Sequence, residues 1–169
     1  MARSPSQNHS DELTRRVAVL VETDDSWGRS VTRGVADYAS THGRWVLLIE
    51  PRDEHRRLAL PEGWEGDGVI ARLGSQWMAD HLHRAELPVV DTDTVMRDEK
   101  WPGRVITDDV ERARLALAHL RDRGFERFAY FAPPQKRYSA VRGEAFQEMV
   151  RSAGCECAVL PMFLTILDL

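Results

Sequence analysis

From Val105 to Ala132 the chain reads VITDDVERARLALAHLRDRGFERFAYFA. A short apolar run leads into an acidic pair, a stretch of helical spacing, a glycine stop and a second apolar strand. Parallel strands can be joined only by a crossover of a dozen or more residues, usually a helix, so this order predicts a parallel sheet. Ligands of open α/β proteins sit outside the carboxyl ends of the strands. Asp108 and Asp109 therefore stand where a small polar molecule would be held, which points to binding or sensing before catalysis.

The same theme recurs upstream. Val17 to Val21 is a continuous β-branched and leucine run, the pattern of a strand covered on both faces. Further strands are expected at Trp45 to Ile49, Gly68 to Arg72, Pro88 to Asp91 and Arg104 to Thr107. Between them, Arg29 to His42 places Val31, Val35, Tyr38 and Ala39 on one helical stripe, with Gly34 expected to allow close approach to the sheet. Ser75 to Ala85 is expected to bury Met78, Leu82 and Ala85, and Val110 to Arg123 to bury Val110, Ala113, Leu117 and Leu120. The expected fold is a doubly wound α/β lobe with strand order 2-1-3-4-5 and helices on both faces.

After Gly124 a second lobe begins, with a strand at Arg127 to Ala132, a helix at Ser139 to Ala153 and a strand at Cys157 to Leu160. This predicts a polar, disordered lead over residues 1–14, a first lobe over 15–124 and a partial second lobe over 125–169. The start shows no apolar signal region, and the apolar runs are of strand length only, so a cytoplasmic protein without a membrane span is expected.

Composition narrows the function. A net charge of −4 over 169 residues supplies no general drive toward DNA or acidic membranes. The two cysteines, Cys155 and Cys157, are too close in sequence for an easy bridge and form only a weak metal signal. His81 and His83 lie roughly 200° apart around a helix, so they cannot share an ion and are expected at the surface. The first strand is followed by TDDSWGRS, whose single glycine does not make a dinucleotide-binding turn. A phospho-acceptor is missing from the tip of the third strand, where Arg72 and Leu73 stand. No serine lies in a nucleophile-elbow context. No cofactor, metal or enzymatic activity is expected.

The chemistry left converges at the strand tips: Asp24, Asp25 and Trp27 after the first strand, Arg52 after the second, Arg72 after the third, Asp91 and Asp93 after the fourth, Asp108 and Asp109 after the fifth. Carboxylates and guanidinium groups hydrogen-bond sugar hydroxyls, and an aromatic ring covers the apolar C–H face of a sugar. Any single Asp here is equally suited to capping a helix; the set points to a monosaccharide.

Four stretches, VAVLVETDDSWGRSVTRGVADYA, GDGVIARL, VITDDVERARLALAHLRDRGFERFAYF and VRGEAFQEMV, resemble the sensor domains of bacterial transcription regulators. These are built on the periplasmic-binding-protein type I, lactose-repressor-like fold; the resemblance is in particular to regulators of the AraC-type xylose operon group. The resemblance runs from about Val17 to Gly154. It implies an effector held between two lobes, with Trp27 as the aromatic, Asp108 as the acidic strand tip and Arg142 as a second-lobe contact. It also implies a pentose effector, a homodimer in the full-length form, and DNA binding through a module that these residues do not include. A free-standing sugar-binding protein is the alternative reading. On this resemblance the chain is expected to be a fragment whose residues 125–169 are held more loosely than 16–124.

Overall fold

The computed structural model describes residues 14–96, 98–132 and 137–161. The expected disorder of residues 1–14 falls, apart from Thr14, outside the described residues, as does the tail after Pro161. The chain divides into two compact units, Met1–Val105 and Ile106–Leu169.

In the first unit the strands are β1 (Arg15–Leu20), β2 (Trp45–Ile49), β3 (Gly68–Ala71), β4 (Val89–Asp91) and β5 (Gly103–Arg104). All pairings are parallel and the order is β2-β1-β3-β4-β5. β1 is an interior strand, and its Ala18 to Leu20, with Val21 just beyond it, are fully buried, as this unbroken apolar run requires. Helix α1 (Ser26–Thr41) joins β1 to β2 and α2 (Gln76–Arg84) joins β3 to β4. These crossovers run in opposite directions from the centre, so right-handedness assigns the two helices to opposite faces of the sheet.

One face of the sheet offers Ala18, Leu20, Val69, Ala71 and Val89 to Met78 and Leu82 of α2 and to Leu58 and Leu60 of the β2–β3 connection. That connection covers the sheet as irregular chain with turns and one isolated bridge, Arg52 with Leu58, and Trp64 packs against the same cluster. Val17, Val19 and Val21 alternate to the other face and are equally buried.

Helix α1 begins earlier than its apolar stripe suggested because Asp25 caps it: the Gly28 N–H donates to Asp25 Oδ1 at 2.6 Å. The glycine that permits close approach is Gly28 and not Gly34. A Cβ at Gly28 would lie 1.8 Å from the Glu22 carbonyl oxygen, whereas one at Gly34 would meet nothing within 4 Å. Tyr38, expected on the buried stripe, is exposed; its ring stacks on His42 and meets Trp45 edge-on.

In the second unit α3 (Asp109–Arg121) and α4 (Arg137–Ser152) flank a two-stranded parallel sheet of β6 (Phe128–Ala132) and β7 (Cys157–Pro161). Ala113 and Leu117 of α3 pack with Phe128, Phe146 and Val150. The boundary between units thus falls at Val105 rather than at Gly124, because the buried stripe of α3 serves the core of α4 and β6. Val110, expected in that stripe, is exposed. Gly143 lets α4 approach β6, since a Cβ there would lie 2.7 Å from the Tyr130 ring.

Candidate functional site

Three chain segments meet at the carboxyl ends of β1, β3 and β4. Arg72 follows β3 directly. Its Nε donates to Asp93 Oδ2 at 2.8 Å, its Nη1 reaches Asp25 Oδ2 at 3.3 Å, and its Cζ lies 4.6 Å from the centroid of the Trp27 ring. Trp27 and Arg72 are half-buried and the Asp25 side chain is 49% exposed, so the cluster is built yet open to solvent.

The electrostatics follow from these contacts. Burial alone would lower the Arg72 pKa, but the Asp93 and Asp25 carboxylates outweigh it and hold the guanidinium charged. The Gly28 N–H and the Arg72 guanidinium keep Asp25 ionised below the usual carboxylate range. A planar cation between two carboxylates, lying over an indole face, is a surface that both donates to and accepts from hydroxyl groups.

Beneath the cluster sits Asp91, fully buried. Its Oδ1 accepts from the Leu73 N–H at 3.1 Å and the Asp93 N–H at 3.0 Å, and its Oδ2 from Arg104 Nε at 3.1 Å. Beside the cluster, Thr23 donates to Glu50 Oε2 at 2.7 Å, and Arg52 pairs with the other oxygen of Glu50. The Thr23 and Arg52 bonds push the Glu50 pKa down.

Of the residues expected to bind a ligand, the structure brings Asp25, Trp27 and Arg72 together. Asp93, one of the strand-tip candidates, completes the set. Asp24 is exposed, and its carbonyl accepts from Arg29 Nη1 at 2.8 Å. Arg52 turns to Glu50 and to the Arg56 carbonyl. Glu50 and Arg104 were not singled out from sequence.

The second unit holds its own candidates differently. β5 ends at Arg104, so Asp108 is not at a strand tip; it caps α3, accepting from the Glu111 N–H at 2.9 Å. Asp109 accepts from Arg142 Nε at 2.6 Å, and the Asp109 side chain is only 9% exposed.

His81, expected at the surface, is instead half-buried. It stacks on Trp77, and its Nε2 accepts from the Leu60 N–H at 3.1 Å. Burial lowers its pKa. Among the described residues no group of three or more His, Cys, Asp or Glu side chains could hold a metal ion, and no helix is long and apolar enough to cross a membrane.

The family model described as XylR N-terminal domain matches residues 16–108. The xylose operon regulatory protein of Escherichia coli strain K12 is 28% identical over 142 residues, covering 80% of this chain and 36% of that protein. A solved structure of a xylose-binding transcription activator, xylR, superposes with a TM-score of 0.68 at 24% identity over 88% of this chain and 38% of that one. A LacI family regulator from Enterococcus faecalis with bound ribose superposes at 0.58 with 16% identity, covering 90% of this chain and 58% of that chain. The chain spans just over a third of the length of the curated relatives it matches. These structures share the periplasmic-binding-protein type I architecture.

Proposed function

Because the chain belongs to the family of XylR N-terminal domains, we propose that it is the effector-sensing part of a transcriptional regulator and that its effector is a monosaccharide, D-xylose or another pentose. One observation supports this most: Arg72 is suspended between Asp25 and Asp93 over the Trp27 ring, at the end of the sheet where α/β proteins take their ligands. In this reading the two carboxylates and the guanidinium bond the sugar hydroxyls, and the indole meets a C–H face. Asp24 lies at the rim. In the second unit Asp109 orients Arg142, and Asp108 spends a carboxylate oxygen on its cap. DNA reading is assigned to other parts of a longer, homodimeric regulator, because a chain with net charge −4 gains little from counterion release.

A thermal-shift panel of aldopentoses and aldohexoses tests the reading. A ligand at a hundred times its Kd stabilises by about 2.7 kcal/mol, or roughly 5–10 °C for a chain of this size. A pentose should give this shift, and Arg72→Met should abolish it while leaving the unliganded melting temperature within a few degrees. Absence of any shift with millimolar pentoses would remove the proposal.

A further inference from the structure

The sugar-facing cluster depends on a residue that no sugar could touch. Asp91 is fully buried, and burying a carboxylate is costly unless several donors satisfy it. Three do. Two of them, both on Oδ1, are the backbone N–H groups of Leu73 and Asp93. Leu73 is the residue after Arg72, so one carboxylate oxygen fixes the chain at both ends of the Arg72–Asp93 ion pair.

The other oxygen extends the same control to the loop that follows. Asp91 Oδ2 accepts from Arg104 Nε, and Arg104 Nη2 donates to the Met96 and Glu99 carbonyls at 2.9 and 3.2 Å. The turn after Asp93 is thereby closed. Within it, Asp93 Oδ1 accepts from the Thr94 and Val95 N–H groups at 2.5 and 3.2 Å, which leaves Oδ2 aimed at Arg72 Nε.

We propose that Asp91, acting with Arg104, is a positioning residue of the effector site: it sets the Arg72–Asp93 pair, and hence the placement of the guanidinium over Trp27, without contacting the effector. Its consequence for sugar affinity rests on the function proposed above; its geometry does not. In Asp91→Asn one oxygen still serves the two backbone donors, but the amide NH₂ opposes Arg104 Nε–H, donor against donor. The variant therefore loosens the loop while keeping the strand.

The test is a nitrogen–proton NMR comparison of the full chain with its Asp91→Asn, Arg104→Lys and Asp93→Asn variants, following the Arg72 Nε–H signal, identified by its loss in Arg72→Lys. Asp93→Asn marks where that signal falls once released. Asp91→Asn should move it toward that position and Arg104→Lys part of the way, with the Val19 and Leu20 amides unchanged. D-Xylose affinity should fall in parallel, by about tenfold for the loss of one charge-assisted bond. An Arg72 signal at its native position in both Asp91→Asn and Arg104→Lys overturns the proposal. Should Asp91→Asn lose its dispersed spectrum, Arg104→Lys alone decides. If the native chain binds no pentose, the function reading fails while the Arg72 signal still decides the positioning role. A displaced signal with unchanged xylose affinity sinks the link between them.

Discussion

Two glycines of α1, six residues apart, should respond to the same substitution with opposite sign. At Gly28 an added Cβ would stand 1.8 Å from the Glu22 carbonyl oxygen and 3.0 Å from its carbon. Both are backbone atoms at the end of the buried strand, so the helix start must move by more than 1 Å to reach ordinary contact. Overpacking of this kind costs roughly 1–3 kcal/mol. The shift also strains the 2.6 Å cap bond from Gly28 to Asp25, and a lost cap costs about 1 kcal/mol. Gly28→Ala should therefore destabilise by about 2–4 kcal/mol in total. At Gly34 a Cβ meets nothing within 4 Å, and replacing an exposed mid-helix glycine by alanine stabilises by about 0.5–1 kcal/mol. Urea unfolding followed by far-ultraviolet circular dichroism measures both. Equal stability of the two variants, or a destabilised Gly34→Ala, would refute the packing account of α1.

Three other outcomes follow from the same geometry. The folded pKa values of Glu50 and Asp25 are depressed, so their contribution to stability is present above their unfolded values near pH 4 and is lost as pH falls through the folded ones; urea midpoints should drop between pH 5 and pH 3, and less so in Glu50→Gln. His81 has a folded pKa lowered by burial, so the unfolded chain takes up the proton first and stability should decline as pH falls below about 6.5, a dependence that His81→Gln should flatten. Phe131, Val159 and Leu160 are more than half exposed while Ala18 to Val21 are fully buried; amide exchange should therefore be faster in β6 and β7 than in β1, and equal protection would contradict it.

Much of the fold was legible because its strands announce themselves. Trp45 to Ile49 and the run at Val17 are apolar and β-branched, flanked by polar breaks, and the crossover rule then left few sheet orders. The strand before Asp108 is shorter than its apolar run suggests. Val105 and Ile106 are apolar in sequence but exposed in the structure, since pairing with β4 ends at Arg104. In α1 spacing points to Gly34 and not to Gly28, because it reports a helix face and not which backbone lies beneath it.

The site was legible as a set of residue types at strand tips, and only partly as a geometry. Asp25, Trp27 and Arg72 do meet. That Asp93 rather than Asp24 holds Arg72, and that Asp91 lies buried beneath, depends on register and loop closure, which local patterns do not encode. Asp108 and Asp109 look alike in sequence, yet one is a cap and the other an ion-pair partner of a helix 28 residues downstream.

The central claim is that a pentose is held where Arg72 crosses Trp27. A titration of the full chain with D-xylose, read by NMR at the Trp27 indole N–H and the Arg72 Nε–H, tests it most directly. Saturable movement of both signals, with one dissociation constant and no comparable change at Trp64 and Trp77, is the predicted result. No movement at millimolar xylose, or movement confined to Trp64 and Trp77, would contradict it.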